Sequence, residues 1–244
     1  MKGVLLAGGH GKRLLPLTKV TNKHLLPVYK KPMIYYPLET LLKAGIKDIL
    51  IVTGGEQIGD FFRLLGSGRE WGAHFSYEIQ EGKAGTGAAL LLAEHFVGED
   101  PFMTVLGDNV VSEDVGRFAR AFKQEKGQFK AKTLIAKVKD PQKYGVVSFK
   151  GKRIIEIVEK PRKPKSSYVN TGLWMFWPEV FSLLKKLEKS PRGEYEITDV
   201  LHHYARRGEL SHAILRSTWT DAGSFESLYN ATILMKKRER RNGK

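Results

Sequence analysis

The order of apolar and polar segments predicts an α/β fold: a single domain on a mainly parallel, Rossmann-like sheet with helices on both faces, joined to a mixed, β-rich part. Three observations carry this expectation. Between residues 4 and 79, short apolar runs alternate with segments of helical spacing in the order β-α-β-α-β, a pattern that favours parallel strands covered by helices. From residue 131 onward the helical spacing gives way to short strand-like runs, which should add mixed or antiparallel strands. No linker-like stretch divides the 244 residues, a length that suits one domain with a sizeable core.

The first strand is Val4-Leu5-Leu6-Ala7, too short for an isolated helix and closed by Gly8, Gly9 and Gly11. Without Cβ atoms these glycines can bring backbone N–H groups close to an anion, and Lys12 and Arg13 add positive charge. Two better-known phosphate loops do not match. Arg13 stands where a P-loop needs Ser or Thr after Gly-Lys, and Leu14 where a dinucleotide loop needs its third glycine. From Gly8 to Gly11 alone, an ordinary glycine-rich turn reads as well as an anion cradle.

Helical spacing over residues 35–44 (Leu38, Leu41, Leu42) stops at Gly45, a good residue beyond a helix end. Residues 46–52 read as a buried strand. Ile58, Phe61, Phe62 and Leu65 mark a helix ending at Gly66, and residues 75–79 the next strand. Residues 80–89 lead into an Ala- and Leu-rich helix reaching Phe96. The strand at 102–106 runs directly into Gly107-Asp108-Asn109. An acid at the carboxyl end of such a strand is well placed to hold magnesium, although Asp108 taken alone reads first as a turn or N-cap aspartate. Further strands are expected at 131–137, 144–149, 153–158 and 168–176, then a helix from Thr198 or Asp199 through Arg206. Trp219-Thr220-Asp221 presents a second isolated acid before a helix that begins near Ser224. The basic run at 236–241 reads as a solvated tail.

Composition excludes several classes. Hydrophobic residues make up 41% of the chain, yet no run approaches the roughly 20 apolar residues that span a bilayer. The N-terminus shows no signal-type segment, so the cytoplasm is the expected location. The absence of cysteine removes disulfides, zinc-thiolate sites and cysteine nucleophiles. A net charge of +15 attracts anions in general: nucleotide, sugar phosphate, pyrophosphate, nucleic acid and acidic membrane all satisfy it. His10, His24, His202 and His203 form no triad or zinc spacing and read as packing or surface residues.

The continuation of the glycine loop is more specific: Leu14-Leu15-Pro16-Leu17-Thr18, Asn22-Lys23-His24-Leu25-Leu26-Pro27-Val28, then Lys31-Pro32-Met33-Ile34-Tyr35-Tyr36-Pro37-Leu38. This stretch resembles the N-terminal signature of sugar-1-phosphate nucleotidyltransferases, most closely the short bacterial glucose-1-phosphate thymidylyltransferases. Later segments match in the same order up to about residue 229: the Gln80–Ala89 junction, Gly107-Asp108, Tyr144-Gly145-Val146-Val147, Glu159-Lys160-Pro161, Asn170-Thr171-Gly172, the run from Arg192 to Asp199, and Trp219 to Ser224.

The resemblance implies transfer of a nucleotidyl group from a nucleoside triphosphate, in the first place dTTP, to a sugar 1-phosphate, in the first place glucose 1-phosphate, with Mg2+ as cofactor. Residues 1–130 would be mainly the nucleotide half, 131–235 the sugar-phosphate half and 236–244 a basic tail. Leu6, Ala7, Gly8, Gly9, Gly11 and Lys12 would surround the nucleotide, and Gln80 and Gly85 would receive its base. Arg13, Lys23 and Asp108 would be catalytic, with Asp108 and Asp221 holding the metal. Gly145, Glu159, Lys160, Asn170 and Thr86 would meet the sugar phosphate.

The chain departs from the thymidylyltransferase pattern at Thr86-Gly87-Ala88-Ala89, where Leu-Ala-Gln-Ala is usual, at Asn170, where a small apolar residue is common, and at Lys12, a usual Thr or Ser. These combinations are reminiscent of N-acetylglucosamine-1-phosphate uridylyltransferases. They keep a second reading open, UTP-dependent transfer to glucose 1-phosphate or N-acetylglucosamine 1-phosphate. A third reading, a basic nucleotide- or nucleic-acid-binding protein without turnover, has the presence of Arg13, Lys23, Asp108 and Asp221 against it. The expected partners are the two substrates, with no nucleic acid and no membrane, and a homo-oligomer is left open.

Overall fold

The computed structural model describes residues 1–82 and 84–242; Lys83, inside the stretch expected at the base, and Gly243 and Lys244, the end of the expected basic tail, lie outside the described residues. The chain opens with β1 (Lys2–Ala7), a small ribbon of β2 (Pro27–Val28) and β3 (Lys31–Pro32), and α1 (Tyr35–Lys43). There follow β4 (Asp48–Gly54), α2 (Ile58–Leu65), β5 (His74–Gln80), α3 (Thr86–Leu91), α4 (Glu94–Val97), β6 (Phe102–Leu106), β7 (Asn109–Val111) and α5 (Gly116–Gln124). The β-rich part comprises β8 (Ala131–Lys137), β9 (Gly145–Lys150), β10 (Arg153–Glu159) and β11 (Tyr168–Phe176). The chain then continues through α6 (Val180–Leu184), α7 (Ile197–Arg207), β12 (Leu210–Ile214), β13 (Trp219–Asp221) and α8 (Phe225–Asn242).

Nine strands form one sheet in the order β10-β9-β11-β6-β1-β4-β5, with β8 paired to β11 and β12 paired to β8. β6, β1, β4 and β5 are mutually parallel, and β11 joins β6 antiparallel, so the sheet changes from parallel to mixed where the sequence pattern changes. Alternation along β1 divides the core. Val4 and Leu6 pack with α3, α4, α6 and α7, while Leu5 and Ala7 pack with α1, α2 and α5. Helices therefore cover both faces, as the continuous apolar run of a doubly buried strand requires.

The expected single helix to Phe96 is two. Ala93 donates to Leu90 O, an i to i−3 bond that tightens the chain between α3 and α4. The basic run is also not a frayed tail within the described residues. α8 carries helix through Lys236 and Arg240 to Asn242 because Ala231 and Met235, one turn apart, are buried in a third cluster with Leu14, Leu26, Val28, Met33, Val110 and Ala222. That cluster ties the last helix to the segment after the glycine loop. No helix among the described residues is long and apolar enough to cross a membrane.

Met235→Ala should lower stability by about 2 kcal/mol in chemical denaturation, whereas Tyr229→Ala, at a position 62% exposed on the same helix, should stay within about 0.5 kcal/mol.

Candidate active site

The carboxyl ends of β1, β4, β5 and β6 lie side by side, and the chain leaves each of them through a polar loop. After β1, Gly11 adopts φ 64°, in the left-handed region, and its carbonyl accepts from Leu14 N–H at 2.8 Å and from Thr18 Oγ1 at 3.0 Å. Buried Leu14 then pins the loop to the third cluster. Lys23 and His24 occupy a short turn capped by Asn22, whose Oδ1 accepts from the His24 backbone N–H at 2.9 Å and lies 2.7 Å from its ring Nδ1. Burial, and then the charge of Lys23, push the His24 pKa down to about 3. The ring is thus a neutral wedge between the Gly9 loop and Gly107.

Asp108 follows β6, and Asp221 ends β13. The β7–β13 ribbon brings them together: its register sets Asp221 opposite Asn109, and Ala222 N–H donates to Asp108 O at 2.8 Å. Asp108 Oδ2 and Asp221 Oδ2 lie 3.2 and 3.3 Å from the point a Cβ on Gly223 would occupy, with Arg13 Nη2 2.8 Å from it, so both acids and Arg13 converge on one small space beside Gly223. Tyr144 O–H donates to Asp221 Oδ1 at 3.1 Å, and the Trp219 ring lies edge-on against Tyr144. Burial alone would raise the Asp108 pKa, but Lys23, at 2.5 Å from Oδ2, holds the carboxyl below its usual range. Asp221 is shifted up, by burial and then by the charge of Asp108.

Two clefts open beside the acids. The larger, about 370 Å³, is lined by Leu6, Gly8, Gly9, Gly11, Lys12, Lys23, Gln80 and Gly85. The smaller, about 180 Å³, is lined by Arg13, Gly145, Glu159, Lys160 and Asn170. Thr86, Leu106, Asp108 and Glu194 border both, so the clefts meet. Gly85, with φ 91°, lies so close to the loop before α7 that a Cβ would stand 2.7 Å from Tyr195 O. Two main-chain bonds fasten these loops, Tyr195 N–H to Ala84 O and Gly87 N–H to Tyr195 O, each 2.8 Å.

In the smaller cleft Glu159 accepts from Thr198 Oγ1 at 2.8 Å and pairs with Lys160 Nζ at 3.1 Å. Thr198 therefore spends its hydroxyl on Glu159 instead of starting α7, which begins at Ile197. Lys160 has φ 44°, an uncommon conformation for a side-chain-bearing residue, and its N–H donates to Tyr144 O at 3.0 Å. Arg192 reaches Glu159, Glu194 and Glu196 at 3.5, 3.3 and 3.1 Å.

The structure thus gathers most of the expected residues around one junction, with two exceptions. Ala7 has its side chain in the core beside α1 and α2 and does not line the cleft. Asn170 Oδ1 is not free for a ligand, since it accepts from Trp174 Nε1 at 2.6 Å, Thr133 Oγ1 at 3.2 Å and Gly172 N–H at 3.2 Å. Tyr144, Arg192, Glu194, Thr198 and Trp219 line the site without having been assigned a binding or catalytic role from the sequence. The dense charge around Gly193 just before a helix was the available signal for Arg192 and Glu194. His24, read from the sequence as a packing or surface residue, is buried and packs inside the site.

Glycine loop, paired acids and clefts gather at the carboxyl ends of the strands, the place where open α/β sheets bind their ligands. A family model described as nucleotidyl transferase matches residues 2–238, and the chain belongs to this family. A glucose-1-phosphate thymidylyltransferase of Neisseria meningitidis serogroup A is 43% identical over 235 residues, covering 95% of this chain and 81% of that protein. The enzyme of the same name from Mycolicibacterium smegmatis is 40% identical over 247 residues, 100% of this chain and 85% of the other. Among solved structures, a Bacillus anthracis protein described as a glucose-1-phosphate thymidylyltransferase and crystallised with sucrose superposes with a TM-score of 0.92 at 47% identity, covering 96% of this chain and 94% of the other. A UDP-glucose pyrophosphorylase in complex with UDP-glucose gives 0.83 at 29% identity, covering 97% and 98%.

The neutral His24 has a stability consequence. Its folded pKa of about 3 lies below the unfolded 6.5, so between these values the unfolded chain binds the proton and the folded protein does not. Stability from this group is complete above pH 6.5 and falls as the pH drops. Between pH 7 and pH 5.5 the wild type should lose about 1 kcal/mol more than His24→Gln, measured by urea denaturation at both values.

Proposed function

We propose that this chain transfers a deoxythymidylyl group from dTTP to glucose 1-phosphate and releases pyrophosphate. The observation that carries the reading is the meeting of the two clefts at Asp108 and Thr86, with Lys23 on one side and Arg13 and Lys160 on the other. Relatives named for this reaction match nearly the whole chain, which supports the choice of base and sugar.

A phosphate monoester oxygen is already anionic near neutrality, so the reaction needs little base catalysis and depends on alignment and charge neutralisation. An oxygen of glucose 1-phosphate forms a bond to the α-phosphorus of dTTP. The bond from that phosphorus to the bridging oxygen breaks, and pyrophosphate leaves with the electron pair. In this reading the N–H groups of the Gly8–Gly11 loop and Lys12 hold the triphosphate, while Gln80 and Gly85 receive the thymine. Arg13 meets the charge developing on pyrophosphate, Lys23 holds the transferred group and Lys160 the attacking phosphate. Glu159 accepts from the sugar hydroxyls, Gly145 lets the ring approach, and Asn170, its oxygen occupied, offers an amide N–H.

The residues present fit magnesium. Asp108 and Asp221 offer oxygen alone, and their Oδ2 atoms face one small space beside Gly223. Two carboxylates completed by substrate phosphate and water are the usual surroundings of this ion. When bound, magnesium would neutralise charge on the α-phosphate oxygens.

The second reading, UTP in place of dTTP, is favoured by the structural likeness to UDP-glucose pyrophosphorylase, at lower identity. Pyrophosphate release, measured with dTTP and UTP against glucose 1-phosphate and N-acetylglucosamine 1-phosphate, should give the highest kcat/KM for dTTP with glucose 1-phosphate. A higher value for either UTP pair would overturn the substrate assignment, and release from no pair would overturn the reaction. Arg13→Ala should keep its circular dichroism spectrum and lose about 100-fold in kcat, as expected for a donor aimed at developing charge.

A further inference from the structure

The contact between Lys23 and Asp108 joins two groups to which the reaction gives separate tasks. Lys23 Nζ lies 2.5 Å from Asp108 Oδ2, and only 13% and 11% of the two side chains are exposed. Across the same space Arg13 Nη2 lies 3.9 Å from Asp221 Oδ2. Each acid thus turns an oxygen to the shared space and has a cation from the N-terminal segment against that oxygen. Two buried carboxylates facing one space repel each other, and a nearby positive charge offsets that repulsion.

Lys23 also stands beside the glycine loop. Its Nζ is 3.3 Å from the point a Cβ on Gly9 would occupy, and its Cβ is 2.8 Å from the corresponding point on Gly11. The ammonium therefore sits between the carboxylate and the backbone that would cradle phosphate. It is bonded to the carboxylate, and a rotation of its flexible stem would carry it to an anion in the loop.

We propose that Lys23 is a built-in counter-ion that excludes free divalent cations from Asp108 and passes from Asp108 to a nucleotide phosphate when metal and nucleotide enter together. The proposal rests on the reading of Asp108 and Asp221 as metal ligands. Its physical basis is competition for one oxygen. Two carboxylates supply too few donors to hold magnesium well, so a bare ion gains little by displacing an ammonium that then has no partner. With a triphosphate in the loop, the displaced ammonium gains a new anion and the metal gains phosphate oxygens. Lys23 thereby makes metal and nucleotide binding mutually dependent, a coupling that runs equally in both directions.

The test measures Mn2+ binding to the nucleotide-free protein by electron paramagnetic resonance, in the wild type, Lys23→Met, Lys23→Arg and Lys23→Met with Asp108→Asn. Lys23→Met removes the charge and keeps a long apolar stem, so its Mn2+ affinity without nucleotide should exceed that of the wild type by roughly tenfold to a hundredfold. Lys23→Arg, which retains the charge, should remain near the wild type. The gain should disappear when Asp108→Asn is added. Equal Mn2+ affinity in the wild type and Lys23→Met would overturn the proposal. Lys23→Gln is read in the same way should the melting curve show Lys23→Met unfolded. A gain that survives Asp108→Asn would overturn it too, by removing Asp108 from the metal site. Failure of the transferase reading is a separate result, namely no pyrophosphate from any substrate pair with the wild type.

Discussion

The site depends on the approach of two carboxylates that the chain carries far apart. Asp108 leaves a strand of the main sheet, whereas Asp221 ends a short strand outside it, and only the β7–β13 ribbon sets them around one space. Like charges buried together are unfavourable unless cations and hydrogen bonds answer them. Here Lys23 and Arg13 come from the segment after the glycine loop, and Tyr144 donates from the first residue before β9. The cations stand unequally near the two acids: Lys23 Nζ lies 2.5 Å from Asp108 Oδ2, and Arg13 Nη2 3.9 Å from Asp221 Oδ2.

That arrangement needs its cations held in place, which explains the small third core. The segment between β1 and α1 has little regular structure, and its buried residues Leu14, Leu26, Val28 and Met33 pack against Val110, Ala222, Ala231 and Met235. Val110 lies in β7, directly after Asp108 and Asn109, and Ala222 follows Asp221. One cluster therefore anchors the cations and both acids. Among the described residues α8 contributes no side chain to either cleft, yet it closes this cluster.

The two clefts are also mechanically joined. Tyr195 binds the loop carrying Gly85 through two main-chain hydrogen bonds, and Arg192 on the same segment reaches Glu159 at the opposite wall. A loop fixed to its neighbour through backbone atoms keeps its spacing whatever its side chains do, since main-chain geometry does not depend on rotamers. The base side and the sugar side thus keep a common frame, and the strained Lys160 backbone is held in that frame by its bond to Tyr144.

Much of this was legible in the sequence because it is local. Apolar runs of strand length alternating with helical spacing specify β1, β4, β5 and β6 with α1 and α2 among them, and the continuous apolar run of β1 fits a strand buried on both faces. The glycine loop, Asp108 and Asp221 stood out because glycines and acids at strand ends are visible without knowing what they face, whereas Glu159 and Lys160 were singled out by the family resemblance. The sequence could not show what they face. Asn170 looked like an amide free to read a ligand until the fold set Trp174, Thr133 and Gly172 against its oxygen. The run at 236–241 looked like a tail until burial of Ala231 and Met235 propagated the helix. His24 became part of the site only through its wedging between two loops, and Lys23 became the partner of Asp108 only in three dimensions. Periodicity and turn chemistry act over a few residues and are written along the chain. Which charges meet, which polar atoms are already satisfied and which helix is anchored are long-range pairings, and these the tertiary structure alone decided.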